Sequence, residues 1–308
     1  MVTVQSISKY DKNQASVITI GTFDGVHIGH KLILERLIND ARLSDRVAAV
    51  LTFFPHPRMV LQKDSDLKLL NTIEEKKKIL EELGIDFLII QPFTKTFSRL
   101  SATAFVRDML VNALHAKKII IGYDHRFGRN RNANINDLIA FGNALDFEVE
   151  EIPAQEIEAV AVSSTKIRNA LLEGDVATAN AYLGYSYMLS GKIIKGKGLG
   201  RQLGYPTANL RIKETYKLIP KNGAYVIKSH LKGREVYGMM NIGYNPTVDG
   251  EKQSIEIHFL DFEEDLYNQN LQVNILEWIR EEQKFNTLDE LKEQLHKDQI
   301  TTRRIISA

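Results

Sequence analysis

One change of texture, near residue 184, limits what this chain can fold into more than any other feature. Before it, short β-branched runs alternate with longer stretches of helical period, the pattern of a parallel sheet with helices on its faces. The strands read as Ser16 to Ile20, Val47 to Phe54, Phe87 to Gln91, Lys118 to Ile121 and Phe147 to Ile152, with amphipathic helices such as Lys31 to Ala41 and Thr72 to Leu83 between them. Two helical pieces follow, ending near Gly174 and at Gly184. From Tyr185 on, strands alternate polar with apolar and are separated by Gly, Asn and Pro: Tyr187 to Ile194, Gly223 to His230, Glu235 to Asn241, Ser254 to Leu260 and Leu271 to Ile279. Such spacing predicts an antiparallel sandwich or small barrel. The last segment, Thr287 to Ile306, predicts a helix with Thr287 as N-cap and Glu290 completing a capping box. The expected architecture is therefore an α/β domain over 1–184 and an antiparallel β domain with a terminal helix over 185–308. A length of 308 residues fits two domains, with one large α/β domain as the alternative.

Composition narrows the chemistry. Forty Lys and Arg oppose 39 Asp and Glu, so no overall charge draws the chain to nucleic acid or an anionic membrane, and phosphate binding must come from local groups. Without cysteine there is no disulfide, thiolate metal site or cysteine nucleophile. A polar N-terminus and the lack of a long apolar run give a cytoplasmic expectation.

Open parallel sheets bind ligands beyond the carboxyl ends of their strands, and the loops there are rich in chemistry. Gly21-Thr22-Phe23-Asp24-Gly25-Val26-His27-Ile28-Gly29-His30 lies between a strand and a helix. Its glycines allow close backbone approach, and histidines three apart share a face of the first turn. Helix starts attract anions, so His30 and Lys31, read as cations where the dipole prefers acids, make sense around a polyphosphate. Ser163, Ser164 and Thr165 open another helix, followed by Lys166 and Arg168 in place of the usual acids; these also point to an anion, with a merely capped surface helix as the plain alternative. Phe54-Pro55-His56-Pro57-Arg58 and Gly122-Tyr123-Asp124-His125-Arg126-Phe127-Gly128 follow two further strands, and either alone would be an ordinary turn.

The second half holds Gly191-Lys192-Ile193-Ile194-Lys195-Gly196-Lys197-Gly198-Leu199-Gly200-Arg201, glycine-rich and basic but without the Gly-Lys-Ser/Thr ending of a Walker A loop. Thr207 and Asn209 offer neutral oxygens that suit a hard cation such as Mg²⁺. Glu256 shares a strand face with Ser254 and His258, which periodicity alone would assign to solvent.

Taken together, these strings resemble one family along nearly the whole chain. The first matches the His-x-Gly-His element of nucleotidyltransferases, and Ser163-Ser164-Thr165 with Arg168 matches their Ser-Ser-Thr-x-x-Arg element. With the leading Phe23-Asp24-Gly25-Val26 and the loops at Pro55 and Gly122, they are similar to the bacterial bifunctional riboflavin kinase and FAD synthetase family. His125 stands where that family usually has an aromatic, and Asn268 where a glycine usually follows Leu-Tyr. The segments Asn241 to Thr247 and Asp261 to Tyr267 also resemble the family.

The resemblance implies ATP as co-substrate with Mg²⁺, riboflavin, FMN and FAD as ligands, and no nucleic acid or membrane partner. It implies that His27, His30, Gly21, Phe23, Asp24, Gly25, Ser163, Ser164, Thr165 and Arg168 serve adenylyl transfer. Phe54, His56, Pro57, Asp124 and Phe127 would meet the flavin. In the second half Gly191, Lys197 and Gly198 would hold ATP, Thr207 and Asn209 the metal, and Glu256 would be the general base. Rival readings are an adenylyl transferase for another phosphorylated acceptor, a flavin-responsive regulator without turnover, and a nucleic-acid binder.

Overall fold

The computed structural model describes residues 1–10, 14–62, 66–123, 125–153, 162–196, 198–247 and 250–307, the side chains of Leu199 and of 245–252 aside. The chain divides into two compact units, Met1–Ser164 and Thr165–Ala308.

In the first unit, β1 (Val2–Val4), β2 (Ser16–Ile20), β3 (Val47–Phe54), β4 (Phe87–Pro92), β5 (Ala116–Gly122) and β6 (Glu148–Ile152) form one sheet. Its order is β1-β4-β3-β2-β5-β6 and every pairing is parallel. The chain builds outward from β2 through β3 to β4, then returns past β2 to lay β5 and β6 on the other side. The connections leaving β2 and β5 thus diverge, opening a crevice at the carboxyl ends of these neighbours. Helix α1 (Ile28–Leu43) joins β2 to β3; α2 (Pro57–Leu61) and α3 (Ile73–Glu82) join β3 to β4. A short α4 (Ala102–Ala104) runs into π-helical turns over Phe105–Ala113, and α5 (Ile135–Leu145) leads to β6. One face of the sheet, carrying Ile18, Leu51, Ile89 and Ile119, packs against Phe105, Val106, Leu110 and Leu138. Val17, Val50, Leu88 and Ile120 on the other face are equally buried, so these strands read as continuous apolar runs.

From Thr165 on, the second unit holds α6 (Ser164–Glu173) and then α7 (Val176–Leu183), the latter closed by Gly184 in the left-handed region at φ 68°. Six antiparallel strands then close a barrel: β7 (Met188–Ile194), β8 (Ala208–Arg211), β9 (Gly223–Leu231), β10 (Arg234–Thr247), β11 (Gly250–Phe259) and β12 (Asn270–Glu281), in the order β10-β11-β8-β7-β12-β9. Closure removes the exposed edges that a six-stranded sheet would otherwise present. Asn180 ties α7 to it, donating to the Ile275 carbonyl at 2.9 Å and accepting the Tyr187 N–H at 2.7 Å. A short α8 (Leu199–Gln202) lies between β7 and β8, and α9 (Leu288–Ile306) ends the unit, packed on β9 and β10.

Two expectations are revised. Thr287 does cap α9, accepting the Glu290 N–H at 3.2 Å, but the Glu290 carboxylate reaches back to the Asn286 N–H at 2.9 Å, one residue before the cap, so the reciprocal box does not close. Asn209 lies inside β8, a strand absent from the expected set.

Arg280 on β12 gives its guanidinium to Asp298 of α9 at 2.7 to 3.1 Å, with the carboxylate side chain only 4% exposed. Asp298→Ala would leave a largely buried cation without its partner. Its expected cost is about 3 kcal/mol of barrel stability, read as a lowered thermal midpoint, against little effect from Glu293→Ala on the exposed side of the same helix.

Candidate functional site

Gly21 follows β2, and the next six residues turn the chain into α1 through backbone few side chains accept. Phe23 and Val26 hold φ of 44° and 38°, with Gly25 at 87° between them. Left-handed backbone is costly for a β-branched residue, on the order of 1–3 kcal/mol, and persists only where the surroundings over-determine it. Here they do. The Thr22 carbonyl accepts from Lys76 Nζ at 2.6 Å and from Thr52 Oγ1 at 3.2 Å. The buried Asp24 carboxylate accepts the Leu70 N–H at 2.9 Å, and its own carbonyl accepts from Ser164 Oγ at 2.9 Å.

His27 is the N-cap of α1, its Nδ1 accepting the His30 N–H at 3.3 Å. The His27 and His30 rings stack with centroids 3.6 Å apart, and Phe23 meets His30 edge-on at 5.1 Å. Gly29 eases the stack, since a Cβ there would sit tightly against His27 Nδ1 and Val162, each at 3.3 Å. Burial pushes the His27 pKa down to about 4 against the pull of Asp24. Burial also pushes the His30 pKa well below its ordinary value, and the neighbouring His27 and Lys76 add to it. His30 is therefore a neutral ring and not the cation its place in the sequence suggested, and its buried Nδ1 has no hydrogen-bond partner among the described residues. The proton of neutral His27 sits on Nε2, because Nδ1 is already an acceptor. No acid occupies the first turn of α1, so a neutral donor set and free N–H groups meet whatever binds there.

Around this centre the other expected residues fall as follows. Gly21, Phe23, Asp24, Gly25 and Ser164 belong to the loop or bond to it; Ser163 is half-buried beside Ser164. Thr165 and Arg168 lie on α6 in the second unit, exposed and half-buried. Phe54 closes β3, His56 caps α2 by accepting the Arg58 N–H at 3.1 Å, and Pro57 is its first residue. Phe127 sits within the core, 6.1 Å from Phe105, while Asp124 lies outside the described residues.

The barrel carries a second group. Glu256 on β11 pairs in register with Asn209 on β8. Thr207 Oγ1 donates to Glu256 Oε2 at 3.4 Å. Ile255, Ile257 and Phe259 alternate with Glu256 and are buried, so the carboxylate is on the opposite strand face. Gly196 faces the Asn209 amide so closely that a Cβ would collide with it. Gly191 is inside β7, where a Cβ would lie 2.5 Å from the Arg211 carbonyl; Gly198 takes φ 75°, and Lys197 lies outside the described residues. A cavity of about 330 Å³ opens beside Thr207, lined also by Arg201, Glu263, Asp265 and Tyr267. Asn268, the departure from glycine, adopts φ 64° and keeps the turn, its N–H bonding the Ile193 carbonyl at 2.9 Å.

A family model described as FAD synthetase matches residues 9–166, and one described as riboflavin kinase matches 183–306. A bifunctional riboflavin kinase/FMN adenylyltransferase of Listeria monocytogenes is 39% identical over 93% of this chain and 91% of its own length. The chain belongs to the bifunctional riboflavin kinase/FMN adenylyltransferase family. Members from Escherichia coli K12 and Haemophilus influenzae are 35% and 36% identical over 94% and 96% of this chain, and over 92% and 96% of their own lengths. A solved structure from Streptococcus pneumoniae, described as a macrolide-efflux protein, is 31% identical with a TM-score of 0.88 over 98% of each chain. In this family member no helix of the described residues is long and apolar enough to cross a membrane.

Lys76 was not legible as part of the site, because Glu74-Glu75-Lys76-Lys77-Lys78 reads as a solvated charge run; the one clue is that Lys76, with Ile73 and Leu80, falls on the apolar stripe of α3.

Because folding depresses the His27 pKa from 6.5 to about 4, the unfolded chain binds the extra proton between those values. The contribution is fully present above pH 6.5 and lost as pH falls toward 4, a change on the order of 3 kcal/mol. Denaturant unfolding between pH 7 and pH 4 should show this loss, and His27→Asn should flatten it.

Proposed function

We propose that this chain phosphorylates riboflavin to FMN with one ATP and then transfers AMP from a second ATP to FMN, giving FAD and pyrophosphate. The division of labour is residues 1–184 for adenylyl transfer and 185–308 for the kinase. What supports the reading is that the two family models match successive parts of one chain, and each part holds a constellation suited to its reaction: the stacked His27 and His30 in the first, and Glu256 beside Thr207 and Asn209 in the second. A cytoplasmic address is part of the proposal and fits two reactions that each draw on ATP.

In adenylyl transfer, a phosphate oxygen of FMN attacks the α-phosphorus of ATP in line, and the bond to the β-phosphate oxygen breaks to release pyrophosphate. No proton has to leave the nucleophile. The protein's task is to align the two anions and to stabilise the charge that develops on the α-phosphate. His27 and His30 suit this as neutral donors, with Ser164, Arg168 and the N–H groups that begin α1 holding the phosphate chain; Gly21, Phe23, Asp24 and Gly25 shape the loop. Ser163 and Thr165 belong to the same phosphate contact. Phe54, His56, Pro57, Asp124 and Phe127 are the proposed flavin contacts, which places the isoalloxazine at the ends of β3 and β5.

In the kinase reaction Glu256 takes the proton of the ribityl hydroxyl as its oxygen attacks the γ-phosphorus, and ADP leaves. Gly191, Lys197 and Gly198 belong to the ATP-binding loop. The donors at Thr207 and Asn209 fit Mg²⁺: neutral oxygens near the Glu256 carboxylate, suited to an ion held largely by phosphates and water. Bound there, the ion would neutralise charge on the transferring phosphates.

Supplied separately with riboflavin or FMN, ATP and magnesium, the variants should part company. Glu256→Ala should lose about 10²- to 10⁴-fold of FMN formation and still convert FMN to FAD; the double change His27→Ala with His30→Ala should do the reverse. Equal loss of both products in both variants, resolved by chromatography of the flavins, would defeat the two-site assignment.

A further inference from the structure

Lys76 is 4% exposed, although its neighbours Glu74 and Lys78 are exposed. It is carried in the first turn of α3, and that turn is locked by a closed capping box: Thr72 Oγ1 accepts the Glu75 N–H at 3.1 Å while Glu75 Oε2 accepts the Thr72 N–H at 2.9 Å. The ammonium is thus delivered to one place. There it donates to the Thr22 carbonyl at 2.6 Å, at the head of the segment in which Phe23, Gly25 and Val26 all take positive φ. Burying a cation is expensive unless paired, and a helix cap spent on placing one beneath a strained loop is not explained by packing. The charged and titratable groups acting with it are Asp24 from the loop and His30 from α1; Glu75, on its own helix, is turned to the cap.

We propose that Lys76 is a positioning residue for adenylyl transfer, its ammonium holding the Thr22 carbonyl that begins the strained loop and placing a positive charge beside His30. Resting on the adenylyl-transfer reading above, it deepens that reading by assigning the charge that the two neutral imidazoles do not supply. The ammonium thus adds a buried positive charge to the two uncharged imidazoles. Desolvation lowers the Lys76 pKa to about 8 despite Asp24, so in the free enzyme the charge is present at neutral pH and is lost as pH rises through 8.

The test uses the full chain, wild type with Lys76→Met and Lys76→Arg, and follows FAD formation from FMN across pH 6.5 to 9.5, with riboflavin phosphorylation by the same preparations as the internal reference. Expected for Lys76→Met is a fall of about 10²-fold in kcat/KM for adenylylation with phosphorylation unchanged. Wild-type kcat/KM should decline above pH 8. Lys76→Arg should restore most of the rate and carry it past pH 8 without the decline, because a guanidinium does not deprotonate there. Wild-type adenylylation by Lys76→Met overturns the inference, and so does a Lys76→Arg profile that keeps the alkaline decline. Should Lys76→Met lose the folded first unit, the Lys76→Arg profile decides alone. A wild-type protein that makes no FAD from FMN would sink the proposed function itself, whereas FAD made equally well by wild type and Lys76→Met sinks only the role of Lys76.

Discussion

Two imidazoles stacked face to face at 3.6 Å on the first turn of a helix cannot both be charged, and burial keeps each of them neutral. The first unit is arranged around that condition. Gly29 leaves room for the stack, burial removes the water that would favour a proton, and His27 is used as the helix cap, which fixes its tautomer. The loop that brings the rings there is strained at Phe23 and Val26 and is held from β3, from α3 and from Ser164. Sheet order supplies the location, since β2 and β5 are neighbours whose connections diverge.

The barrel reaches comparable order by a different route. Glu256 and Asn209 are opposite residues on paired strands, so their separation is set by the ladder itself and needs no strained backbone. Glycines do the local shaping: Gly196 stands against the Asn209 amide and Gly191 against the Arg211 carbonyl, leaving the glycine-rich segment tight against β8. Loop backbone thus shapes the first group of residues and a strand ladder the second.

Much of this was readable from residues because the signals were local. The strands β2 and β3 have the expected limits, since β-branched runs between turn residues have few alternatives. His27 and His30 stood out by spacing, and Glu256 by alternation with Ile255 and Ile257. The missing parts depend on distant partners. Three residues at Val2–Val4 carry too little pattern to announce an edge strand; pairing with Phe87 to Ile89 makes it one. Ala208–Arg211 becomes a strand through β7 and β11 and not through its own composition. The neutrality of His30 and the burial of Lys76 are properties of the folded surroundings, and a charge run in the sequence cannot distinguish the one lysine that turns inward.

The central claim is that neutral His27 and His30 at the start of α1 receive the ATP phosphates. A crystal structure of the protein with a non-hydrolysable ATP analogue tests it most directly. The account requires the phosphate chain within hydrogen-bonding distance of both imidazoles and of the N–H groups that begin α1. A nucleotide bound elsewhere in the first unit, with the stacked rings and that helix start untouched, would contradict it.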